Sequence, residues 1–247
     1  MMLKFKKLFL ITLSIFVILL SGQGIFTSVF ASDGIEDFEH KLTSILFVDS
    51  LLTREEILDI ISDYAEMEGI SFEESLTIFY EQAENQKVNI NKFDARNTNA
   101  PSAAPGNSRN RGDLMYSSAS TFGINHGHSA IYYTRNTVVH AIGPGVNSRA
   151  ESASNRIGRQ GGIELQSVST SVANREKAAI YAYNNLRNIP YDSVFAANKI
   201  TMSKLNCSSL VWRAYKHVNI DLDSNGGPGV YPADIRNSRF TSTYERK

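Results

Sequence analysis

The sequence predicts an α+β domain preceded by a small helical unit. Residues 32–95 hold two capping-box signatures, each followed by apolar residues at helical spacing. Over residues 94–111 the composition turns to Asn, Ser, Ala, Pro and Gly, and periodicity is lost. Beyond that stretch, short alternating segments come first and helical patterns follow, the order of a sheet flanked by helices.

The chain opens on Lys4, Lys6 and Lys7, an apolar run over residues 8–20 interrupted by Thr12 and Ser14, and small residues ending at Ala31. That is the order of a secretory signal, so residues 1–31 are expected to be removed near Ala31. The run falls short of the ~20 residues of a comfortable membrane span, with an uncleaved anchor as the alternative. The expectation is an exported chain, secreted or working in the cell wall, with 216 residues after cleavage.

In the helical unit, residues 32–95, a first helix is expected over 35–47. Thr53 with Glu56 and Ser71 with Glu74 then each start a helix, the first carrying Ile57, Ile60, Ile61 and Tyr64 inward, the second Leu76, Phe79, Tyr80 and Ala83. Residues 96–111 are expected to be a flexible linker, with Arg109 and Arg111 as a processing point. In the domain over 112–247, strands are expected at 113–117, 128–133, 137–142 and 163–169. A helix is expected over 173–187 and another from Cys207, with a long loop at 143–162.

The formal net charge of zero conceals an asymmetry. Residues 32–95 carry 16 acidic and 4 basic side chains, a net of −12, while residues 96–247 carry 9 acidic and 18 basic, a net of +9. Opposite charges favour docking of the two parts, and a basic domain favours anionic partners such as wall polymers. Two merely solvated faces are the alternative. A net of −12 excludes the helix pair as a reader of nucleic acid.

Cys207 is the only cysteine, so no intramolecular disulfide forms. It follows Asn206 and precedes Ser208, Ser209 and an apolar helical pattern of Leu210, Val211, Ala214 and Tyr215. In the first turn of a helix, free N–H groups and the positive dipole end both favour a thiolate. A small buried hydrophobe is the bland alternative, and the polar neighbours argue for the nucleophile.

A thiol nucleophile needs a base, most often histidine. His40 lies in the acidic unit, and His217 sits on the Cys207 helix ~15 Å away by helical rise. His126, His128 and His140 surround a hairpin pattern, with Gly127 just before the strand that His128 opens. The 12-residue gap from His128 to His140 puts both on one face when the loop holds an odd number of residues. A three-residue loop, Thr134-Arg135-Asn136 with Asn136 left-handed, meets this and sets them diagonally, ~7 Å apart. A two-residue turn at Arg135-Asn136 would put them on opposite faces.

The segment from His128 to His140, with Ala141 after it, resembles the His–strand–turn–strand–His-Ala segment of NlpC-type cell-wall cysteine peptidases. Those enzymes place the cysteine helix first. Here Cys207 comes last, as in the circularly permuted papain-like amidases of the YaeF/YiiX type. Gly112-Asp113-Leu114 resembles the opening strand of that pattern, and Ile189-Pro190-Tyr191-Asp192 the segment before its cysteine. Asn206-Cys207-Ser208-Ser209-Leu210-Val211-Trp212 resembles its cysteine helix, and Tyr231-Pro232-Ala233-Asp234-Ile235 its closing segment. The likeness runs in order from Arg111 to about Ser238 and leaves out the acidic unit.

The resemblance implies a permuted papain-like domain with an antiparallel sheet, no cofactor and no metal. It implies Cys207 as nucleophile, His128 as general base and His140 as the polar residue that orients the base. The implied activity is hydrolysis of amide bonds, in peptidoglycan stem peptides or in fatty-acyl amides and esters. Export and the basic domain favour the wall peptide. Ser129 departs from the hydrophobic residue common at that place, and His126 is an extra histidine. The Cys207 N–H would be one oxyanion donor.

Two other classes compete. His126, His128 and His140 could hold a hydrolytic zinc ion, although no carboxylate stands beside them in sequence and Cys207 is then unexplained. A wall-binding or host-facing module without turnover is the non-enzyme reading. The acidic unit is expected to dock over the cleft as an inhibitory pro-segment.

Overall fold

The computed structural model describes residues 26–97, 104–121, 124–155 and 162–247. Within them, Lys41–Lys247 form one compact unit. Most of the expected leader lies outside the described residues, and its cleavage point near Ala31 falls within the first helix, α1 (Phe26–Val48). Among the described residues no helix is long and apolar enough to cross a membrane.

Two more helices follow, α2 (Arg54–Glu68) and α3 (Phe72–Asn97). At the start of α2, Thr53 Oγ1 accepts the Glu56 N–H at 3.2 Å and Glu56 Oε2 accepts the Thr53 N–H at 2.8 Å. Ser71 and Glu74 repeat the exchange at α3, at 3.1 and 2.8 Å. Ile57, Ile61, Leu76, Phe79 and Ala83 are buried, and Tyr64 meets Phe79 edge-on at 5.5 Å.

Helix α3 runs to Asn97, into the stretch expected to be a linker. Residues 104–111 are also tied down. Gly106 N–H donates to the Ala153 carbonyl and Ser108 N–H to the Arg135 carbonyl, both at 2.8 Å, and Arg109 N–H reaches Tyr244 Oη at 3.1 Å. Here the chain is a strap along the sheet, because its backbone groups find strand-end partners instead of water.

The domain is α+β, as the sequence predicts. A six-stranded antiparallel sheet is built from β1 (Leu114–Ser117), β4 (His128–Thr134), β5 (Thr137–His140), β6 (Arg149–Ser152), β7 (Ile163–Val168) and β8 (Thr241–Arg246). Their spatial order is β6-β5-β4-β1-β7-β8. A two-stranded ribbon, β2 (Ser120–Thr121) and β3 (Ile124–Asn125), interrupts the β1–β4 connection. Helices α4 (Val172–Asn185) and α5 (Cys207–Lys216) pack on β4, and a short helix α6 (Pro232–Arg236) follows.

Both faces of the central strands are covered. Leu114, Ile131 and Val139 join Ala179, Ala182, Leu210, Val211 and Ala214 on the helical side. Met115, Ala130, Tyr132, Val138, Ile163 and Leu165 form the core of the other side. The loop expected over 143–162 contains β6, which pairs with β5 from Thr137↔Ser152 to His140↔Arg149. Strand β8 carries little apolar patterning and was not expected from sequence. Edge strands half-open to solvent leave weak hydrophobic periodicity.

Helix α5 begins in a buried polar knot. Asn206 Oδ1 accepts the Ser209 N–H and Ser209 Oγ accepts the Asn206 N–H, each at 3.0 Å. Asn198 Nδ2 donates to Asn206 Oδ1 at 3.0 Å and to the Val230 carbonyl at 2.8 Å. Removing the Asn206 amide strands the Ser209 donor inside the protein. Asn206→Ala should therefore cost about 1–3 kcal/mol in urea denaturation, with Asn206→Asp restoring much of it. Equal stability of all three proteins would show that the knot does not hold the helix start.

Candidate active site

The hairpin settles the face question by a different route from the loop expected. Thr134 pairs with Thr137, so the turn is the two-residue Arg135-Asn136, and Asn136 does not take a left-handed φ. A register shift between Tyr132 and Thr134 supplies the odd residue, Tyr133, as a bulge. Beyond it Ile131 faces Val139, and His128 and His140 come to the same face. Neither Arg135 nor Asn136 takes a positive φ, so the turn is not of the primed kind, and the bulge restores the parity that the turn alone would break.

His128 Nε2 lies 3.0 Å from His140 Nδ1. On the far side, His140 Nε2 lies 3.6 Å from Glu151 Oε2, and Glu151 is ion-paired with Arg149. One tautomer set fits this row: His140 Nδ1 receives the His128 Nε2–H, which leaves His128 Nδ1 to act as a base, while His140 Nε2 faces Glu151 across a gap too long for a hydrogen bond. Glu151 is absent from the expected site because it lies in a stretch of loop-like composition. The alternation of Arg149 and Glu151 was the available signal.

Gly127 sets the entry to this row. Its φ is 76°, and a Cβ there would stand 2.7 Å from Tyr116 Oη. Only a glycine permits both the left-handed turn and the approach of Tyr116 immediately before His128.

Cys207 is the first residue of α5, as expected, but it is deeply buried, with 1% of its surface exposed. The backbone N–H groups of Ser129, Ser208 and Cys207 itself favour its thiolate, yet burial outweighs them and pushes the thiol up to about 11. The expectation that a helix start would hold a thiolate therefore does not describe this conformation. The dipole end and the N–H donors are present, but the surrounding low dielectric favours the neutral form more strongly. Ser129 follows His128 on β4, so the strand that presents the histidine row also meets the sulfur.

The histidines are neutral for the same reason. Burial holds His128 well below the usual imidazole range, with the nearby His140 and His126 adding repulsion. Burial lowers His140 to about 4, offset in part by Glu151 and reinforced by Arg149. Among the described residues, Ser117 Oγ and Ser118 Oγ are buried without partners at this end of the sheet, and the buried Ser129 hydroxyl lies beside the Cys207 sulfur. Ser117 stands opposite His128 in register.

The other histidines are engaged elsewhere. His126 Nδ1 contacts the Gly127 carbonyl at 2.7 Å, and its ring packs 5.4 Å from Phe195. His217 stacks on Tyr181 at 4.0 Å. Among the described residues, no group of three His, Cys, Asp or Glu side chains is arranged to hold a metal ion. A cavity of about 280 Å³ lies nearby, bordered by Asp49, His126, Gly143, Tyr191 and Phe195, and Cys207, His128 and His140 do not line it.

No family model matches the chain. It is 36% identical over 137 residues to uncharacterized protein YycO of Bacillus subtilis (strain 168), 54% of each chain. It thus spans about half the length of the curated relative it matches. A crystal structure described as metalloprotein yiiX from Escherichia coli O157:H7, DUF1105, is similar at a TM-score of 0.44 and 14% identity. That likeness covers 56% of this chain and 97% of the other.

Two measurements follow. The imidazole of His140 is lowered in the folded state from an unfolded value near 6.5, so protonation favours unfolding. The stability it contributes is complete above pH 6.5 and is lost as pH falls toward 4. Urea denaturation of wild type and His140→Gln should therefore diverge with pH. The difference should move toward the variant by on the order of 3 kcal/mol between pH 6.5 and 4, and a pH-independent difference would remove the buried neutral imidazole from the account. Iodoacetamide should modify Cys207 slowly at pH 7, with a rate still climbing past pH 10 toward about 11; a plateau below pH 8 would contradict the buried thiol.

Proposed function

We propose that this chain is an exported cysteine hydrolase of permuted papain-like fold that cleaves amide bonds, with peptidoglycan stem peptides as its first substrate class. The observation that carries this reading is the 3.0 Å contact between His128 Nε2 and His140 Nδ1. It fixes a base on the strand whose next residue, Ser129, approaches the Cys207 sulfur. The family resemblance from Arg111 to about Ser238 supports the same assignment. The basic start and apolar run over residues 8–20 support export.

In the proposed reaction, Cys207 attacks the carbonyl carbon as its proton passes to His128 Nδ1. The negative oxygen that forms is met by the Cys207 N–H, at the start of α5. The imidazolium of His128 is stabilised through His140 and, behind it, Glu151, which act as positioning residues. Collapse breaks the C–N bond, and His128 returns the proton to the leaving amine. Water then cleaves the thioester by the reverse roles, releasing the acid and the free thiol. Because thiol and imidazoles rest neutral, the proton moves during attack, and no preformed ion pair is needed.

Wall fragments and fatty-acyl amides, digested side by side and resolved by mass, test both the activity and its substrate class. Cys207→Ala and His128→Ala should each lower turnover by about a thousandfold or more, and His140→Ala by a smaller factor of about 10–100. Full activity of Cys207→Ala with loss to a chelator would replace the thiol reading by the three-histidine metal reading. An unchanged biological effect of that variant with no turnover on any substrate would leave a binding module. Export predicts that protein recovered outside the cells begins near Ser32.

A further inference from the structure

Asp49 reaches into the domain from the connection between α1 and α2. Its Oδ1 accepts the N–H of Phe195 at 2.8 Å and of Ala196 at 3.2 Å, and its Oδ2 accepts the Tyr231 hydroxyl at 2.7 Å. The residue is 3% exposed. Gln82, from α3, grips the same wall. Its Nε2 donates to the Ala196 carbonyl at 3.1 Å, and its Oε1 accepts the Gly229 N–H at 2.9 Å. A Cβ on Gly229 would stand 2.8 Å from Gln82 Nε2, so the fit is close. Side chains of the helical unit, far away in sequence, thus supply the partners of the 195–196 and 229–231 backbone.

This cradle borders the proposed reaction centre. The carbonyl of Val194, next to Phe195, accepts from Asn206 Nδ2 at 3.4 Å, which ties this wall to the residue before Cys207, and Tyr191 lies within electrostatic reach of both Cys207 and Asp49. Asp49, Tyr191, His126 and Phe195 line one cavity. Phe195 also stacks on Tyr231 at 5.6 Å, which steadies the donors on either side of the carboxylate.

We propose that the Phe195 and Ala196 N–H groups, together with the Tyr231 hydroxyl, form a carboxylate-binding subsite that Asp49 fills as a built-in stand-in for the free carboxylate of an amide substrate. Adjacent N–H groups converging on one oxygen, with a hydroxyl on the other, are a recognised way of holding a carboxylate. Burial pushes the Asp49 carboxyl up to about 6 against the Tyr231, Phe195 and Ala196 hydrogen bonds, and the neighbouring Asp192 adds to the rise. Such a cradle holds a carboxylate weakly and suits a tethered occupant present at high effective concentration. A substrate carboxylate entering the cradle displaces Asp49, loosens the helical unit and opens the way to Cys207. The substrate part of this proposal rests on the hydrolase reading, while the affinity for a carboxylate does not.

The probe is acetate, the side chain of Asp49 cut free, with acetamide as its uncharged counterpart. Asp49→Gly should show a Tm raised by about 2–5 °C by acetate and left unchanged by acetamide, and Asp49→Gly with Tyr231→Phe should respond less. Should Asp49→Gly fail to fold, wild type carries the test. Acetate should then speed iodoacetamide modification of Cys207 several-fold, and acetamide should not. Equal effects of acetate and acetamide, or no effect of either, would overturn the subsite. Neither readout involves turnover, so an inactive enzyme and an absent subsite are separate results.

Discussion

A helix that begins inside a protein must give each of its early N–H groups a partner, since an unmet buried donor costs ~1–3 kcal/mol. At α5 the segment satisfies itself. Asn206 and Ser209 exchange side chain and backbone, while the N–H groups of Cys207 and Ser208 turn toward the sulfur. The thiol is therefore part of the cap. Asn198 and Ser208 then fasten this cap to the Val230 carbonyl, which fixes the closing segment beside it. The position of the sulfur relative to β4 follows from a network that is structural first.

The same burial sets the electrostatics. A thiol pushed up to about 11 and an imidazole down to about 4 describe a site where separated charge is disfavoured until something changes its surroundings. On the proposed function, opening of the helical unit or arrival of a polar substrate would supply such a change. The charge imbalance seen along the sequence, −12 against +9, bears only loosely on how the parts meet. The contacts that hold them are specific and mostly neutral on the domain side. Asp49 is bound by two amides and a phenol, and Gln82 by one amide and one carbonyl.

Much of this was legible in the sequence because it rests on local rules. The two capping boxes and the start of α5 at Cys207 follow from short-range spacing, whereas His128 and His140 meet through a bulge at Tyr133 in place of the expected three-residue loop. What was hidden depends on distant partners. Strand β6 is assigned by its pairing with β5, and the alternation of Arg149 and Glu151 is too short a signal to stand out from the loop-like residues around it, which hides Glu151 as well. The burial of Cys207 could not be read from the polar residues beside it, since Asn206, Ser208 and Ser209 spend their polarity on one another and on Asn198 and Val230. The strap over residues 104–111 looks like linker for the same reason, its anchoring hydrogen bonds being made to residues 26 or more positions away, among them Arg135, Ala153 and Tyr244.

The bulge at Tyr133 has a further effect. Its ring stacks on Tyr183 of α4 at 3.8 Å, with the Arg111 guanidinium 5.1 Å from its centre. The residue that corrects the hairpin's count is thus also pinned from outside, and the hairpin cannot easily absorb it into the turn. Excising Tyr133 while keeping the Arg135-Asn136 turn would not trim a loop; it would invert one strand, sending His140 and every side chain of β5 to the opposite side of the sheet. The hairpin behaves as a parity lock, in which lengths differing by two residues are interchangeable and lengths differing by one are not.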